Sequence, residues 1–284
     1  MEWFFDFFKK NSMSETFFVK DGLPDFNPKW YNPNPNKIAN NLHLKNRYIG
    51  KEFIIAGAGP SISRFDHSFR KNKVVMSLCG AQELVKGDIY IPTSDPVAWN
   101  GMKNLIGSGQ TVFMSYTYFN KKFVKIIKSY GDLNCEWFSY YTAPSNNMKW
   151  YSTLPPYNVQ WYIDKKGIPH NTGPQSAALA ISLAIFMGAK NIFIVGVDGF
   201  FNLLKDGKPI YKNEFAEQHY KFTISTDEKR NHHLLERGRR DAADRYIFSQ
   251  LFEYCKSSNI GIFLLNTDSH LVGTLPLAGK GVLV

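Results

Sequence analysis

The chain has 284 residues, 44% of them hydrophobic, and a formal net charge of +10. This size and composition predict a globular protein with a substantial core, either one large domain or a domain with appendages. Cys79, Cys135 and Cys255 are odd in number and far apart, which argues against a disulfide framework or a zinc site and favours a reducing, cytoplasmic location. Without a signal-peptide pattern or an apolar run of bilayer length, we expect a protein that is not integral to a membrane.

The positive charge favours an anionic partner, which could be a phosphate-bearing substrate, an acidic lipid surface or a nucleic acid. The first ten residues, MEWFFDFFKK, place aromatic side chains at helical spacing with two lysines behind them. Such a segment either makes a peripheral contact with the inner membrane or docks on its own domain or a twin subunit. Residues 1–50 are rich in Pro, Asn and aromatics and are predicted to be an N-terminal extension that wraps the core.

A catalytic domain is predicted over residues 51–284, where six short apolar runs alternate with longer mixed segments. This alternation is typical of parallel strands joined by crossover helices. The runs are EFIIAG, KVVMSLCG, DIYIPTSD, QTVFMSY, NIFIVGVD and IGIFLLN.

Two helices are predicted in the second half of the chain. TGPQSAALAISLAIFMGAKN has Pro174 near its first turn and Gly188 at its end, and RRDAADRYIFSQLFEYCKSS leads into the last strand. The resulting αβαβ unit indicates a doubly wound, mostly parallel α/β sheet. Residues 199–238 lie between these helices without clear periodicity, and so long an insertion is predicted to be a lid or substrate loop.

The stretch FIIAGAGPSIS predicts an anion site after the first strand of this domain. Gly57 and Gly59 allow a sharp turn that brings backbone N–H groups close to a ligand, and Pro60 and Ser61 suit a helix start. A dinucleotide fingerprint would have glycine where Ile62 stands, so NAD is disfavoured. The alternative is a tight strand-to-helix turn that holds no ligand.

A second anion-suited helix start is NTGPQS, where Thr172 and free N–H groups meet the positive end of the helix dipole. Capping alone would also explain this threonine. Asp95 and Asp198 each follow a predicted strand, at the edge where open α/β sheets bind ligands, and could hold sugar hydroxyls or order loops. The absence of an Asp-x-Asp pair weakens the case for a metal-dependent sugar transferase.

Histidines in the predicted lid are candidates for a general base, because histidine exchanges protons near neutral pH. His232 and His233 are adjacent there, followed by the basic run ERGRRD. Taken singly, each of these residues is more typical of an ordinary surface residue.

Three stretches carry a resemblance to known families: IIAGAGPSI, DIYIPTSDP and TGPQSAALAISLAIFMGAKNIFIVGVD. They resemble the Maf/MptE-like family, which includes motility accessory factors acting as nonulosonate transferases and archaeal hydroxymethylpterin diphosphokinases. They are also similar to AGNGPS, TSG and GID of the family 42 bacterial sialyltransferases. The likeness covers residues 50 to 275 and implies a Rossmann-like, GT-A-like sialyltransferase variant.

The resemblance implies a metal-independent, inverting glycosyltransferase of cell-surface glycan biosynthesis. Its donor would be a CMP-activated nonulosonate or a similar nucleotide sugar, its acceptor a glycan or protein hydroxyl, and it would use no cofactor. His233 or His232 would be the base, and Tyr211 would assist the leaving group. The implied donor-binding residues are Gly57, Ala58, Gly59, Ser61, Gly80, Gln82, Thr93, Ser94, Asp95, Thr172, Gly173 and Asp198.

Four places depart from the sialyltransferase pattern, and one of them is Cys79–Gln82, which reads Cys-Gly-Ala-Gln where that family has Cys-Asn-Gln. Ala58 stands where that family has asparagine, Phe200 where it has tyrosine, and Glu236 where counting places its histidine. Two alternatives therefore stay open: a Mg²⁺-dependent diphosphokinase acting on a pterin-type alcohol, and a non-catalytic module that binds an anion or nucleic acid. The acceptor and the oligomeric state, which could be a homo-oligomer, are not specified by the sequence.

Overall fold

The structure is a computed structural model, and it describes residues 17–20, 23–26, 43–92, 105–115, 135–138, 176–199, 204–205, 208–209 and 244–279. The strands, numbered in chain order, are β1 (Phe17–Lys20), β2 (Leu23–Phe26), β3 (Glu52–Ala56), β4 (Val74–Leu78), β5 (Ile89–Ile91), β6 (Thr111–Ser115), β7 (Cys135–Phe138), β8 (Asn191–Val195), β9 (Leu204–Lys205), β10 (Lys208–Pro209) and β11 (Gly261–Leu264).

Seven of these strands form one sheet in the order β11-β8-β3-β4-β5-β6-β7, and every neighbouring pair in it is parallel. The six strands predicted from the apolar runs are all present, which confirms the α/β fold. The seventh strand, β7, was not predicted, because its sequence CEWF is short and includes a charged residue. Two small antiparallel pairs, β1 with β2 and β9 with β10, accompany the main sheet.

The strand order reverses beside β3. From β3 the chain adds β4 to β7 in one direction, and it then returns to place β8 and β11 on the other side of β3. In open α/β sheets this kind of switch point forms a crevice at the carboxyl ends of the strands, where ligands bind. A ligand site is therefore expected at the residues that follow β3 and β8.

Helix α1 (Ser176–Phe186) is buried on all sides, with ten of its eleven residues buried. It packs on one face of the sheet together with helix α2, described over residues 244–257. The predicted helix end is confirmed, because Gly188 has a φ of 88° and its N–H donates to the carbonyl of Ile185. No helix within the described ranges has both the length and the apolar character to cross a bilayer.

The opposite face of the sheet is covered by 3₁₀ turns instead of the predicted crossover helices. These turns, Pro60–Arg64, His67–Arg70 and Cys79–Glu83, connect β3 to β4 and β4 to β5. Asp66 interrupts the first connection, because its carboxylate accepts a hydrogen bond from the backbone N–H of Ser68 and starts a new turn. Connections therefore lie on both faces of the sheet, which confirms the doubly wound architecture.

Candidate functional site

The turns that follow β3 and β8 interlock at the switch point. Gly57 N–H donates to the carbonyl of Val195 at 2.8 Å, and Gly59 N–H donates to the carbonyl of Gly196 at 2.7 Å. A Cβ atom on Gly57 would lie 2.4 Å from the carbonyl oxygen of Gly196. These glycines are therefore required by the close approach of two backbones, in addition to any ligand.

Ser61 and Asp198 join the same two turns through their polar atoms. The backbone N–H of Ser61 donates to Asp198 Oδ2 at 2.7 Å, and its hydroxyl donates to Asp198 Oδ1 at 2.6 Å. Ser61 Oγ also accepts from the N–H of Gly196 at 3.1 Å, and Asn266 Nδ2 donates to Asp198 Oδ1 at 3.1 Å. The carboxylate of Asp198 therefore accepts the hydrogen bond of the Ser61 N–H, one of the backbone groups predicted to bind a phosphate.

Asp198 is only 4% exposed. Burial raises the pKa of its carboxyl group, while the hydrogen bonds from Ser61 and Asn266 act in the opposite direction. Both oxygens of Asp198 accept hydrogen bonds from the protein, so this side chain links the turn after β3 to the residues that follow β8 and β11. Gly57, Ala58, Gly59, Ser61 and Asp198 do lie together, and their contact with a donor stays a prediction.

The helix expected after the glycine turn is a five-residue 3₁₀ turn, Pro60–Arg64. Pro60 occupies its beginning, as predicted, but the turn ends at Phe65, whose N–H donates to the carbonyl of Ile62. Such a short element lacks the aligned peptide dipoles of a longer α-helix. The phosphate subsite predicted here would therefore depend on individual N–H groups at the half-buried tip of the turn, near Ala58.

A second junction lies at the ends of β4 and β5. Cys79 follows β4 and has a φ of 48°, a left-handed conformation that is uncommon for a residue with a side chain. Its Sγ lies 3.9 Å from the carbonyl oxygen of Pro92, after β5, and 3.9 Å from Ser176 Oγ, at the beginning of α1. Cys79 therefore connects two strand ends with one helix start.

The family resemblance implies a donor pocket made of three segments, and this junction adjoins each of them along the chain. The buried Gly80 follows Cys79 directly, Thr93 follows Pro92, and Gly173 stands three positions before Ser176. Cys79 was not among the site residues predicted from the sequence. Its position beside the glycine following β4 was the available signal.

Gln82 lies elsewhere. Its amide accepts a hydrogen bond from the N–H of Gly87 at 3.2 Å and donates one to Gln110 at 3.0 Å. Gly87 lies just before β5, and Gln110 lies just before β6. These contacts hold its amide toward the amino ends of the strands, whereas Gly57 and Gly59 follow the carboxyl end of β3. The structure does not bring the amide of Gln82 to the glycine turn.

Two buried residues after β11 complete the described part of the site. Asn266 and His270 follow the last strand of the sheet, and within the described ranges Asn266 Oδ1 and both ring nitrogens of His270 lack a hydrogen-bond partner. His270 Nε2 lies 3.5 Å from Asp244 Oδ2 in α2. These two residues were not among the predicted site residues, although the carboxyl ends of parallel strands meet at one edge.

The remaining predicted site residues lie outside the described residues: Thr93, Ser94, Asp95, Thr172, Gly173, Tyr211, His232 and His233. Their roles stay predictions. Over the ranges that the structure does describe, no three His, Cys, Asp or Glu side chains are grouped so that they could hold a metal ion.

The doubly wound α/β fold is the one that the family resemblance implies, and polar residues lie at its switch point. Residues 29–202 match the family described as 6-hydroxymethylpterin diphosphokinase MptE-like. This match spans more than half of the chain, and the protein belongs to that family. No curated protein matches the chain.

Solved structures similar to this chain include sialyltransferases from Campylobacter jejuni. CstII in complex with the substrate analogue cytidine-5'-monophosphate is 18% identical, with a TM-score of 0.42 over 81% of this chain and 86% of that chain. CST-II in complex with a trisaccharide acceptor and CMP is 18% identical, with a TM-score of 0.41 over 82% and 88%. The monofunctional alpha-2,3-sialyltransferase Cst-I is 18% identical, with a TM-score of 0.44 over 81% of each chain.

Proposed function

We propose that the protein is an inverting glycosyltransferase that needs no metal ion and takes a CMP-activated nonulosonate, or a similar nucleotide sugar, as its donor. The acceptor is a hydroxyl group of a glycan or a protein. The proposal rests first on the resemblance of the three sequence stretches to nonulosonate transferases and sialyltransferases, and then on the arrangement of the described residues at the switch point.

The observation that carries this proposal is the position of Cys79. Its contacts with Pro92 and Ser176 bring the ends of β4 and β5 to the beginning of α1. The donor segments that the resemblance implies around Gly80, Thr93 and Gly173 are each within three residues of this junction. A nucleotide lying there would have its base beside the strand ends and its phosphate near the helix start, where N–H groups and the helix dipole favour an anion.

The reaction is a displacement at the anomeric carbon of the sugar. The acceptor oxygen forms a bond to that carbon while the bond from the carbon to the CMP phosphate oxygen breaks, and CMP leaves with the electron pair. His233 or His232 accepts the proton of the acceptor hydroxyl, and Tyr211 assists the departing phosphate.

The state of Asp198 fits a reaction without a metal ion. Its two oxygens accept three hydrogen bonds, from Ser61 N–H, the Ser61 hydroxyl and the Asn266 amide. Three of the roughly four acceptor positions of this carboxylate are used within the protein, so the side chain holds the two turns together and keeps little capacity for a ligand such as Mg²⁺. The proposal therefore assigns charge stabilisation to the protein's own N–H groups and side chains.

A second candidate follows from the family description, which names a 6-hydroxymethylpterin diphosphokinase. In that reaction the alcohol oxygen of the pterin attacks the β-phosphorus of ATP, AMP leaves, and the diphosphate is transferred. Such a transfer requires Mg²⁺ held by acidic ligands. The two candidates are distinguished by the nucleotide released, CMP or AMP.

Turnover by the purified full-length protein tests the proposal. With CMP-sialic acid and a panel of glycan acceptors in EDTA, we expect release of CMP and a product that is heavier by one sugar. The His232→Ala, His233→Ala double variant should still bind CMP but lose turnover, whereas His67→Ala, at an exposed histidine, should keep it. Release of AMP from ATP only with Mg²⁺ and a pterin alcohol would replace this proposal with the second candidate.

A further inference from the structure

The edge of the sheet opposite the candidate site is strongly basic. This edge, called here the amino-end edge, is formed by residues 43–51 before β3, 70–73 before β4, 86–88 before β5 and 189–190 before β8. These four segments contain a single acidic residue, Asp88, and the basic residues Lys45, Arg47, Lys51, Arg70, Lys71, Lys73, Lys86 and Lys190. Because the four strands are neighbours in the sheet, about 5 Å apart, the topology gathers these charges along roughly 15 Å of one edge.

The carboxylates beside this edge are engaged within the protein. Asp88 Oδ2 accepts a hydrogen bond from the backbone N–H of Val75 at 2.9 Å. Glu52, the first residue of β3, accepts from Asn191 Nδ2 at 2.6 Å and lies 3.3 Å from Lys73 Nζ. Across the described ranges, Lys45, Lys51 and Lys190 are exposed and form no ion pair. Their positive charge is therefore presented to a partner outside the chain.

An exposed isoleucine lies among these lysines. Ile49 is 72% exposed, more than any other large hydrophobic side chain in the described residues. The backbone N–H groups of Tyr48 and Gly50, on either side of it, donate to the carbonyls of Met187 and Gly188 at 2.9 and 2.8 Å. The turn that carries Ile49 is thus fixed to the end of α1, and it holds an apolar side chain in solvent.

A second exposed isoleucine lies at the same edge. Ile106 is 42% exposed and belongs to the turn before β6. A cleft of about 730 Å³ lies between this turn and the Ile49 turn, since its lining includes Leu105 from one and Tyr48 from the other. The charged side chains that line the cleft are Arg70, Glu83, Lys86 and Asp88. Because these four charges balance, the attraction for an anion comes from the lysines along the edge.

We propose that the amino-end edge is a docking surface for a bilayer of anionic phospholipids. The lysines contact the lipid phosphates, and Ile49 and Ile106 enter the headgroup layer. Basic residues near an anionic leaflet and apolar side chains inserted at its boundary both contribute to such binding. A nucleic acid would meet the same positive charge, but it offers no apolar layer to two exposed isoleucines.

This orientation leaves the candidate site accessible. Strand β3 has five residues, so the glycine turn at its carboxyl end lies roughly 15 Å from the amino-end edge and faces away from the bilayer. The inference goes beyond the proposed function and does not depend on it, because it concerns the opposite edge of the sheet.

Co-sedimentation of the full-length protein with vesicles tests the charge contribution. We expect binding to vesicles made of equal parts of phosphatidylcholine and phosphatidylglycerol, weak binding to phosphatidylcholine alone, and a loss of binding at high salt. Lys51→Gln and Lys190→Gln should each lower the partition coefficient about fivefold. Arg64→Gln is the matched control: it removes one positive charge from an exposed residue near the opposite edge, and it should change the coefficient less than about twofold.

The apolar contribution is tested in the same assay. Ile49→Ser should lower the partition coefficient about fivefold, while its turn keeps the backbone hydrogen bonds that hold it. Val272→Ser is the control, because Val272 is 44% exposed but follows β11 at the other edge, and it should bind as the wild type does. Equal binding to neutral vesicles, or unchanged binding in the Lys51, Lys190 and Ile49 variants, would overturn the inference. Binding of an oligonucleotide but of no vesicle would also overturn it.

Discussion

Ser61 holds Asp198 with two hydrogen bonds, from its backbone N–H to Oδ2 at 2.7 Å and from its hydroxyl to Oδ1 at 2.6 Å. This pair joins the turn after β3 to the turn after β8 at the point where the strand order reverses. One backbone N–H group of the glycine stretch, that of Ser61, therefore already donates to a carboxylate of the same chain. Four predictions follow from this arrangement and from the junction at Cys79.

Replacing Ser61 should destabilise the fold. Ser61→Ala removes the hydroxyl that donates to Asp198 and accepts from the Gly196 N–H, and it leaves buried polar groups without a partner. We expect a loss of about 2–4 kcal/mol in the free energy of unfolding, measured by urea denaturation. Ser63→Ala is the control, because the exposed Ser63 bonds only within its own turn, and it should cost about 0.5 kcal/mol or less. Equal losses in the two variants would contradict a stabilising role for the hydrogen bonds between Ser61 and Asp198.

Adding a methyl group at Gly59 should have a similar effect for a steric reason. A Cβ atom there would lie 2.6 Å from Asp198 Oδ2 and 2.7 Å from the carbonyl oxygen of Gly196. Gly59→Ala should therefore lower the free energy of unfolding by about 3 kcal/mol. Gly279→Ala is the matched control, since nothing lies within 4 Å of a Cβ at that position. A Gly59→Ala protein as stable as its control would contradict the close packing of the two turns.

The buried carboxyl of Asp198 should make stability depend on pH. Burial raises the pKa of Asp198 in the folded chain above its ordinary value of 3.8. At any pH between 3.8 and the folded-state pKa, the folded chain therefore holds more protons than the unfolded chain. The contribution of this group is fully present below 3.8 and is lost as the pH rises through the folded-state pKa. The difference in unfolding free energy between wild type and Asp198→Asn should therefore shrink as the pH rises. A difference that grows would mean that the pKa is lowered.

Cys79 and Cys255 should react very differently with a thiol reagent. Cys255 is buried, and burial raises the pKa of its thiol to about 12, so it should stay unmodified in the folded protein. Cys79 is partly accessible and lies at the proposed donor junction. In a Cys135→Ser background, we expect alkylation at Cys79 and protection by CMP, measured by peptide mass spectrometry. Alkylation that CMP does not slow would place the nucleotide elsewhere.

The sequence predicted the strands of the sheet well because their signal is local. Six apolar runs are each bounded by polar or glycine residues, and each is a strand. The connections were predicted less well, since Asp66 and Pro60 favour short turns over helices in ways that depend on nearby contacts.

For the site, the sequence located Gly57, Gly59, Ser61 and Asp198 at one edge, because strand ends converge there. It could not specify that Ser61 bonds to Asp198, which is 137 positions away. The donor-binding and catalytic assignments remain predictions for the same reason, as they depend on contacts between distant segments.

The most direct test of the proposed function is the identity of the nucleotide that binds. Isothermal titration of the full-length protein should show CMP binding in EDTA, with an affinity that added Mg²⁺ does not change. Ala58 is the residue to vary in the same experiment: it stands where the sialyltransferases have asparagine, and Ala58→Asn should bind CMP more tightly. Binding of ATP only with Mg²⁺, together with no heat from CMP, would contradict the account.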